Sequence, residues 1–239
     1  MKARVWVALV AVVLSATMVA ADEPWLNKTA KDWTIDDTQK ILNDSPWGHR
    51  IGTAVEYVKE KDKSSGDKKT VSDTDRGDQR DTDFALVLWW SAKTTRRAFL
   101  RMFELGGNSV SEEQAQKFSE GAMPQYVVTI IGGGKMVDIS SKLPVEELKK
   151  AAWLESPRIK QHINPMDVVV VRDASGKPER INFIFPRETE GQPTLSSDDK
   201  KITFRWRLPK IPTETIEKAK QFQVQFQPSK MMAGGAADF

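Results

Sequence analysis

Between residues 200 and 208 the chain alternates without a break, with Ile202, Phe204, Trp206 and Leu208 apolar and Thr203, Arg205 and Arg207 polar. Residues 222–227 repeat the pattern, setting Phe222, Val224 and Phe226 against Gln223, Gln225 and Gln227. Successive side chains of a strand point to opposite faces, so both runs predict antiparallel strands with one face on a core and the other in water. Residues 166–172 and 180–185 flank the turn cluster DASGK and predict a hairpin, so the C-terminal third reads as one sheet. Upstream, FALVLWWS from Phe84 is apolar on both faces, as in a central strand covered on both sides. Residues 125–131 predict a further strand, and residues 47–58 place Ile51, Thr53, Val55 and Tyr57 at period two.

Four segments carry helical signals instead. Residues 33–42 open with Thr34, placed to accept a hydrogen bond from the backbone near Asp37, and Asp36 and Asp37 in the first turn complement the helix dipole. Residues 93–105 space Ala98, Phe99, Met102, Phe103 and Leu105 for one helical face and end at Gly106 and Gly107. Ser111 and Gln114 form a capping box for a helix stopping at Gly121, and PVEELKKAAW, residues 144–153, is a short helix with proline in its first turn. No regular βαβ alternation runs through these elements, so the predicted class is α+β, mainly antiparallel sheet with three or four short helices.

Two segments fall outside this patterning. Residues 59–83 hold 15 charged residues in 25, with Val71 the only large apolar one, and predict a flexible insert joining two strands. Residues 1–21 begin with Lys2 and Arg4, continue apolar from Val5 to Leu14 and close with small residues before Asp22, the layout of a secretory signal peptide. Ser15 and Thr17 break the apolar run short of the roughly 20 residues a membrane span requires. The expected product is therefore secreted or periplasmic, without stable membrane insertion after cleavage. It comprises one domain over residues 22–227 and a C-terminal tail over residues 228–239.

Composition narrows the chemistry. The absence of cysteine excludes disulfides, thiol catalysis and Cys-ligated metal, and His49 and His162 are too few for a three-histidine site in one chain. The formal charge of +3 drops to +1 once Lys2 and Arg4 leave with residues 1–21, so a nucleic-acid partner is not expected. No cofactor is implied.

The segment carrying Trp33, Thr34, Asp37, Ile41, Leu42, Ser45, Pro46 and Trp47 reads W-T-x-x-D-x-x-x-I-L-x-x-S-P-W. It resembles an uncharacterised family of secreted bacterial proteins that begin this way after their signal peptides. LWWSAKTTRRAF, INFIFPR and the PSKMM segment extend the likeness over most of the mature chain. A more distant likeness is to the bacterial GWxTD-domain proteins, although Asp32 stands where their glycine would be. The resemblance implies secretion and a shared fold, and it supplies no catalytic residues. In physical terms Trp33, Thr34, Asp37, Ser45, Pro46 and Trp47 read as structural: a cap, a helix exit, and two tryptophans at its ends.

Several constellations invite chemical readings. GGGK at residues 132–135 follows a strand, but Met136 stands after the lysine and no helix is expected, so it reads as a glycine turn rather than a phosphate loop. Ser65 with Lys68, and Ser197 with Lys200, match S-x-x-K in polar loops where lysine would keep its proton. Asp73, Asp75, Asp78, Asp81 and Asp83 are weak calcium candidates out of register with an EF-hand loop, and Arg76, Gly77 and Asp78 spell an adhesion tripeptide too short to count. His49 and His162 would have to meet in space to form a metal or acid/base pair. Lys93, Arg97 and Arg101 lie at i, i+4 and i+8 and read as a solvated helix face, with a partner or anionic surface as the alternative. Arg205 and Arg207 with Gln223, Gln225 and Gln227 line one polar sheet face, which reads as solvated or, more sharply, as a site for an anionic glycan. The leading expectation is a non-catalytic interaction or structural domain whose partner is an envelope or extracellular protein or a glycan. The alternative is a cell-envelope hydrolase using carboxylate or histidine acid/base residues.

Overall fold

A computed structural model describes residues 23–52, 84–209 and 211–239. In chain order the elements are α1 (Pro24–Asn27), α2 (Ile35–Asn43), β1 (Asp44–Ser45), β2 (Gly48–Gly52), β3 (Phe84–Trp89), α3 (Lys93–Leu105), α4 (Glu112–Glu120), β4 (Tyr126–Gly132), α5 (Lys135–Ser140) and α6 (Val145–Ala151). They continue with β5 (Ala152–Glu155), β6 (Asp167–Arg172), β7 (Pro178–Phe185), β8 (Glu188–Thr189), β9 (Gln192–Pro193), β10 (Ile202–Arg207), β11 (Gln221–Phe226), β12 (Met232–Ala233) and β13 (Ala236–Ala237). The fold is α+β and mainly antiparallel sheet: six strands in the order β1-β2-β3-β4-β7-β6, a second sheet β11-β10-β5, and two small hairpins.

The helix ends follow from their side chains. Thr34 Oγ1 accepts from the Asp37 amide while the Asp37 carboxylate accepts from the Thr34 amide, satisfying two orphan donors of α2 reciprocally. Lys28 adds an ion pair to Asp37 at 2.9 Å. Burial works against the Asp37 charge, but the Thr34 amide, Lys28 and the Thr34 hydroxyl together hold its pKa below the ordinary carboxyl value. Ser111 and Gln114 form the same reciprocal box on α4. Beyond α2, the Ser45 hydroxyl donates to the Ile41 carbonyl and accepts from the amides of Trp47 and Gly48, turning the chain directly into β2.

Register sorts the six-stranded sheet into two faces. His49, Val87, Ile130, Ile181 and Val170 are successive partners across it, as are Trp89, Val128, Phe183 and Val168. This face meets the inner face of the second sheet through aromatic contacts: Trp89 and His49 lie 5.1 Å from Phe226, and Phe183 lies 5.6 Å from Phe204. The opposite face carries Gly48, Leu88 and Val127 and is covered in part by α2, whose Leu42 carbonyl oxygen would stand 2.5 Å from a Cβ on Gly48. Large aromatics thus fill the space between the sheets, and Trp47, Trp89, Trp206, Phe183, Phe204 and Phe226 are fully buried.

Four expectations need correction. The C-terminal third is not one sheet: β6 and β7 join the larger sheet and β10 and β11 the smaller, because alternation reports a strand's buried face and not its neighbour. A helix does follow GGGK: Gly132, Gly133 and Gly134 all adopt positive φ, reverse the chain and let α5 bury Met136 and Val137. The helix from Pro144 ends at Ala151, and residues 152–155 form β5. Residues 228–239 do not leave the fold as a tail: Met231 is fully buried, β12 pairs with β13, and Phe239 packs 6.1 Å from Tyr126. The four helices read from the sequence are all present, joined by α1 and α5. Residues 1–21, the charged stretch 59–83, and Thr53, Val55 and Tyr57 lie outside the described residues.

Candidate functional site: the outer face of the three-stranded sheet

In β5, β10 and β11 the core-facing partners are Leu154, Phe204 and Val224 in one row and Ala152, Trp206 and the half-buried Phe222 in another. Side chains alternate across the pleat, so the intervening residues point away from the core. They form three outward rows: Arg207 opposite Gln221; Trp153, Arg205 and Gln223; and Glu155, Thr203 and Gln225. Rows two residues apart are separated by about 7 Å, which makes the face long enough for an extended ligand.

Glu155 is the hub of this face. Its Oε1 accepts from Trp153 Nε1 at 3.2 Å, forms an ion pair with Arg205 Nε at 2.8 Å, and lies 3.6 Å from His162 Nε2. Partial burial opposes the charge, but Arg205 and the Trp153 N–H together pull the Glu155 pKa below its ordinary value. A carboxylate held in this way stays ionised and serves as an acceptor. The Trp153 ring stacks on His162 at 5.1 Å and 20°, and the Arg207 guanidinium lies 5.5 Å from the Trp153 centroid. Arg207 also donates Nε and Nη2 hydrogen bonds to Gln221 Oε1. Beside these rows lies a groove of about 350 Å³, lined by Glu155, Lys201, Thr203, Arg205, Gln223 and Gln225 among others.

Arg205, Arg207, Gln223 and Gln225 therefore share the face their alternation implied, while Gln227, just beyond β11, is exposed. Trp153, Glu155 and His162 were not legible as part of it. The only local signal was the alternation of Ala152 and Leu154 with Trp153 and Glu155, four residues fused to the end of a helix.

His49 and His162 are not brought together. His49 contacts Phe226 on the inner side of the sheet, whereas His162 stacks on Trp153 on the outer side. Lys93, Arg97 and Arg101 do not form a free solvated face. Arg97 binds both carboxylate oxygens of Glu120 at 2.5 and 2.7 Å, Lys93 approaches the same carboxylate at 3.6 Å, and Arg101 donates to the Trp33 carbonyl and to Glu104. The reason is that α4 packs beside α3 and supplies the counter-charge. Arg97 accordingly lowers the Glu120 pKa, while Glu120 raises that of Arg97. A cleft of about 620 Å³ opens between these helices, but its Glu120 and Glu104 carboxylates are each engaged by an arginine, and the lowered pKa of Glu120 does not suit it to proton donation.

The remaining candidates are structural or lie elsewhere. Trp33 is buried and donates to the Pro24 carbonyl; Trp47 is buried, edge-on to Trp25, and donates to the Asp238 carbonyl at 2.6 Å. Thr34, Asp37 and Ser45 serve the turns at the two ends of α2, and Pro46 is half-buried between Ser45 and Trp47. Ser197 and Lys200 are both exposed, so the pair lies in no enclosed site. Ser65, Lys68, Asp73, Asp75, Arg76, Gly77, Asp78, Asp81 and Asp83 lie outside the described residues. Among the described residues no group of three or more His, Asp or Glu side chains is placed to hold a metal, and no helix is long and apolar enough to cross a membrane. Compared with protein-family models, curated proteins and solved structures, the chain matches none.

Proposed function

We propose that the protein is a secreted or periplasmic binding protein that acts without catalysis, and that its ligand is a glycan lying across the outer face of β5, β10 and β11. The observation that carries this reading is the stacked Trp153–His162 pair set among Arg205, Arg207, Glu155 and the outward glutamines of β11. Glutamine amides offer a donor and an acceptor in one group, the complement of a hydroxyl, and flat rings complement the C–H faces of sugars. All of these residues but His162, which lies in a loop, reside on strands anchored by a buried aromatic core, so most of the face is in place before ligand arrives. The leader-like residues 1–21 support an envelope or extracellular setting.

A hydrolase reading rests on Glu155 and His162 at 3.6 Å alone. It is the weaker one, because the ionised Glu155 is already engaged by Arg205 and Trp153 on an open face that does not exclude water. The test is a glycan-array and calorimetric screen of the protein beside Trp153→Ala. Binding of an envelope glycan that is reduced at least tenfold by Trp153→Ala, with unchanged thermal stability, is the expected result. Equal binding by both proteins, or hydrolysis of a glycan lost in Glu155→Gln, would overturn the reading.

A further inference from the structure

Building on that reading, we infer that the ligand is an acidic polysaccharide whose carboxylates are taken by Lys201 and Arg207. The outer face carries Arg205 and Arg207 with Lys201 at its margin, against the Glu155 carboxylate on the face and that of Glu217 beside Arg207. Arg205 and Glu155 neutralise one another at 2.8 Å. Lys201 and Arg207 remain. Lys201 is exposed and has no ion pair among the described residues, and Arg207 donates to the neutral Gln221 amide, with the Glu217 carboxylate near enough to attract it but not within ion-pair distance. A guanidinium whose hydrogen bonds go to an amide oxygen and not to a carboxylate keeps donors of its fork available for an anion.

Spacing argues for a polymer. Lys201 immediately precedes β10 and Arg207 ends it, so the two charges are separated by about 20 Å along the strand. Between them Gln223 and Gln225 present alternating amides, and His162 turns the ring face not stacked on Trp153 to solvent, its side chain 60% exposed. A chain of sugar rings with carboxylates at intervals meets all of these groups at once.

Other polyanions fit less well. Nucleic acid draws its affinity from many phosphate contacts, and two cations outside ion pairs supply few. An acidic peptide binding by strand addition needs a free edge. Here the Leu154–Ile163 bridge occupies part of the β5 edge, and His49 donates to the Gln225 carbonyl of β11.

The experiment titrates the full chain with hexagalacturonate, its fully methyl-esterified form, neutral cellohexaose and poly-L-glutamate, at low and moderate salt. Hexagalacturonate should bind at least tenfold more tightly than its ester. Lys201→Gln and Arg207→Gln should each reduce that preference threefold or more, without changing the melting temperature. Equal affinity for acid and ester, with Trp153→Ala still damaging both, would overturn the acidic ligand while leaving a glycan-binding face intact. Failure of every glycan to bind would remove the glycan reading itself and this inference with it. Poly-L-glutamate binding as tightly as the uronate, with the same loss in the two variants, would assign the face to an acidic protein and overturn the polysaccharide.

Discussion

The Asp238 carboxylate caps α3 from the far end of the chain, accepting the backbone N–H of Thr94 at 2.8 Å through Oδ2 and that of Lys93 at 2.7 Å through Oδ1. The residue at the helix's own N-cap, Ala92, has no side-chain oxygen to do this. Trp47 holds Asp238 in place by donating its indole N–H to the Asp238 carbonyl. Asp238→Ala should therefore lower stability by about 1–2 kcal/mol, and Asp238→Asn, which keeps one acceptor, by less. Chemical denaturation of the three proteins measures this; equal midpoints would show that the cap contributes nothing.

Gly48 faces the C-terminal end of α2 so closely that a Cβ would stand 2.5 Å from the Leu42 carbonyl oxygen and 2.7 Å from that of Ile41. Both obstacles are backbone and cannot swing aside. Gly48→Ala should cost about 1–3 kcal/mol by forcing α2 off the sheet, although alanine is ordinarily the better strand residue. A melting temperature equal to that of the parent would contradict the close approach.

His49 packs against Phe226, and burial lowers its pKa against the opposing effects of Asp44 and a hydrogen bond to the Gln225 carbonyl. The folded protein therefore resists a proton that the unfolded chain accepts near pH 6.5. The stabilising effect of a neutral His49 is complete above that pH and declines as pH falls through it. Asp37, Glu120 and Glu155, whose pKa values are also lowered, lose their contributions only below about pH 4.5. The melting temperature should thus fall between pH 7.5 and pH 5, and the fall should shrink in His49→Asn. A parallel fall in both proteins would place the sensitivity elsewhere.

Glu190 is the only non-glycine residue with positive φ among the described residues, at 54°, and Gly191 beside it has φ 74°. These two residues form the loop of the β8–β9 hairpin, where Thr189 pairs with Gln192, a turn that favours asparagine followed by glycine. Glu190 is tied to the Gln161 side chain, a contact exposed to water and of small value. Glu190→Asn should raise stability by about 0.5–1 kcal/mol, read as a higher denaturation midpoint. An unchanged or lower midpoint would mean that the Gln161 contact outweighs the backbone strain.

Much of the secondary structure was legible because its signals are local. The capping residues Thr34 and Ser111 marked two helix starts within three residues, and the spacing of Ala98, Phe99 and Met102 with Gly106 delimited α3 at Lys93–Leu105. The alternation of β10 and β11 placed Arg205, Arg207, Gln223 and Gln225 on one face, since the pleat leaves no other arrangement. Trp153 and Glu155 escaped because four alternating residues behind a helix are too few for a period to stand out. His162 escaped because a loop residue has no period at all.

What the sequence determined by itself was the α+β class, the bounds of the longer helices, and which side of β10 and β11 meets the core. Tertiary structure decided which strands are neighbours, so that β7 left the apparent C-terminal sheet to pair with β4. It also decided that Arg97 meets Glu120 and that Asp238 reaches α3. Propensity, capping and periodicity act within a few residues of chain, whereas pairing between distant segments depends on how all their buried faces pack together.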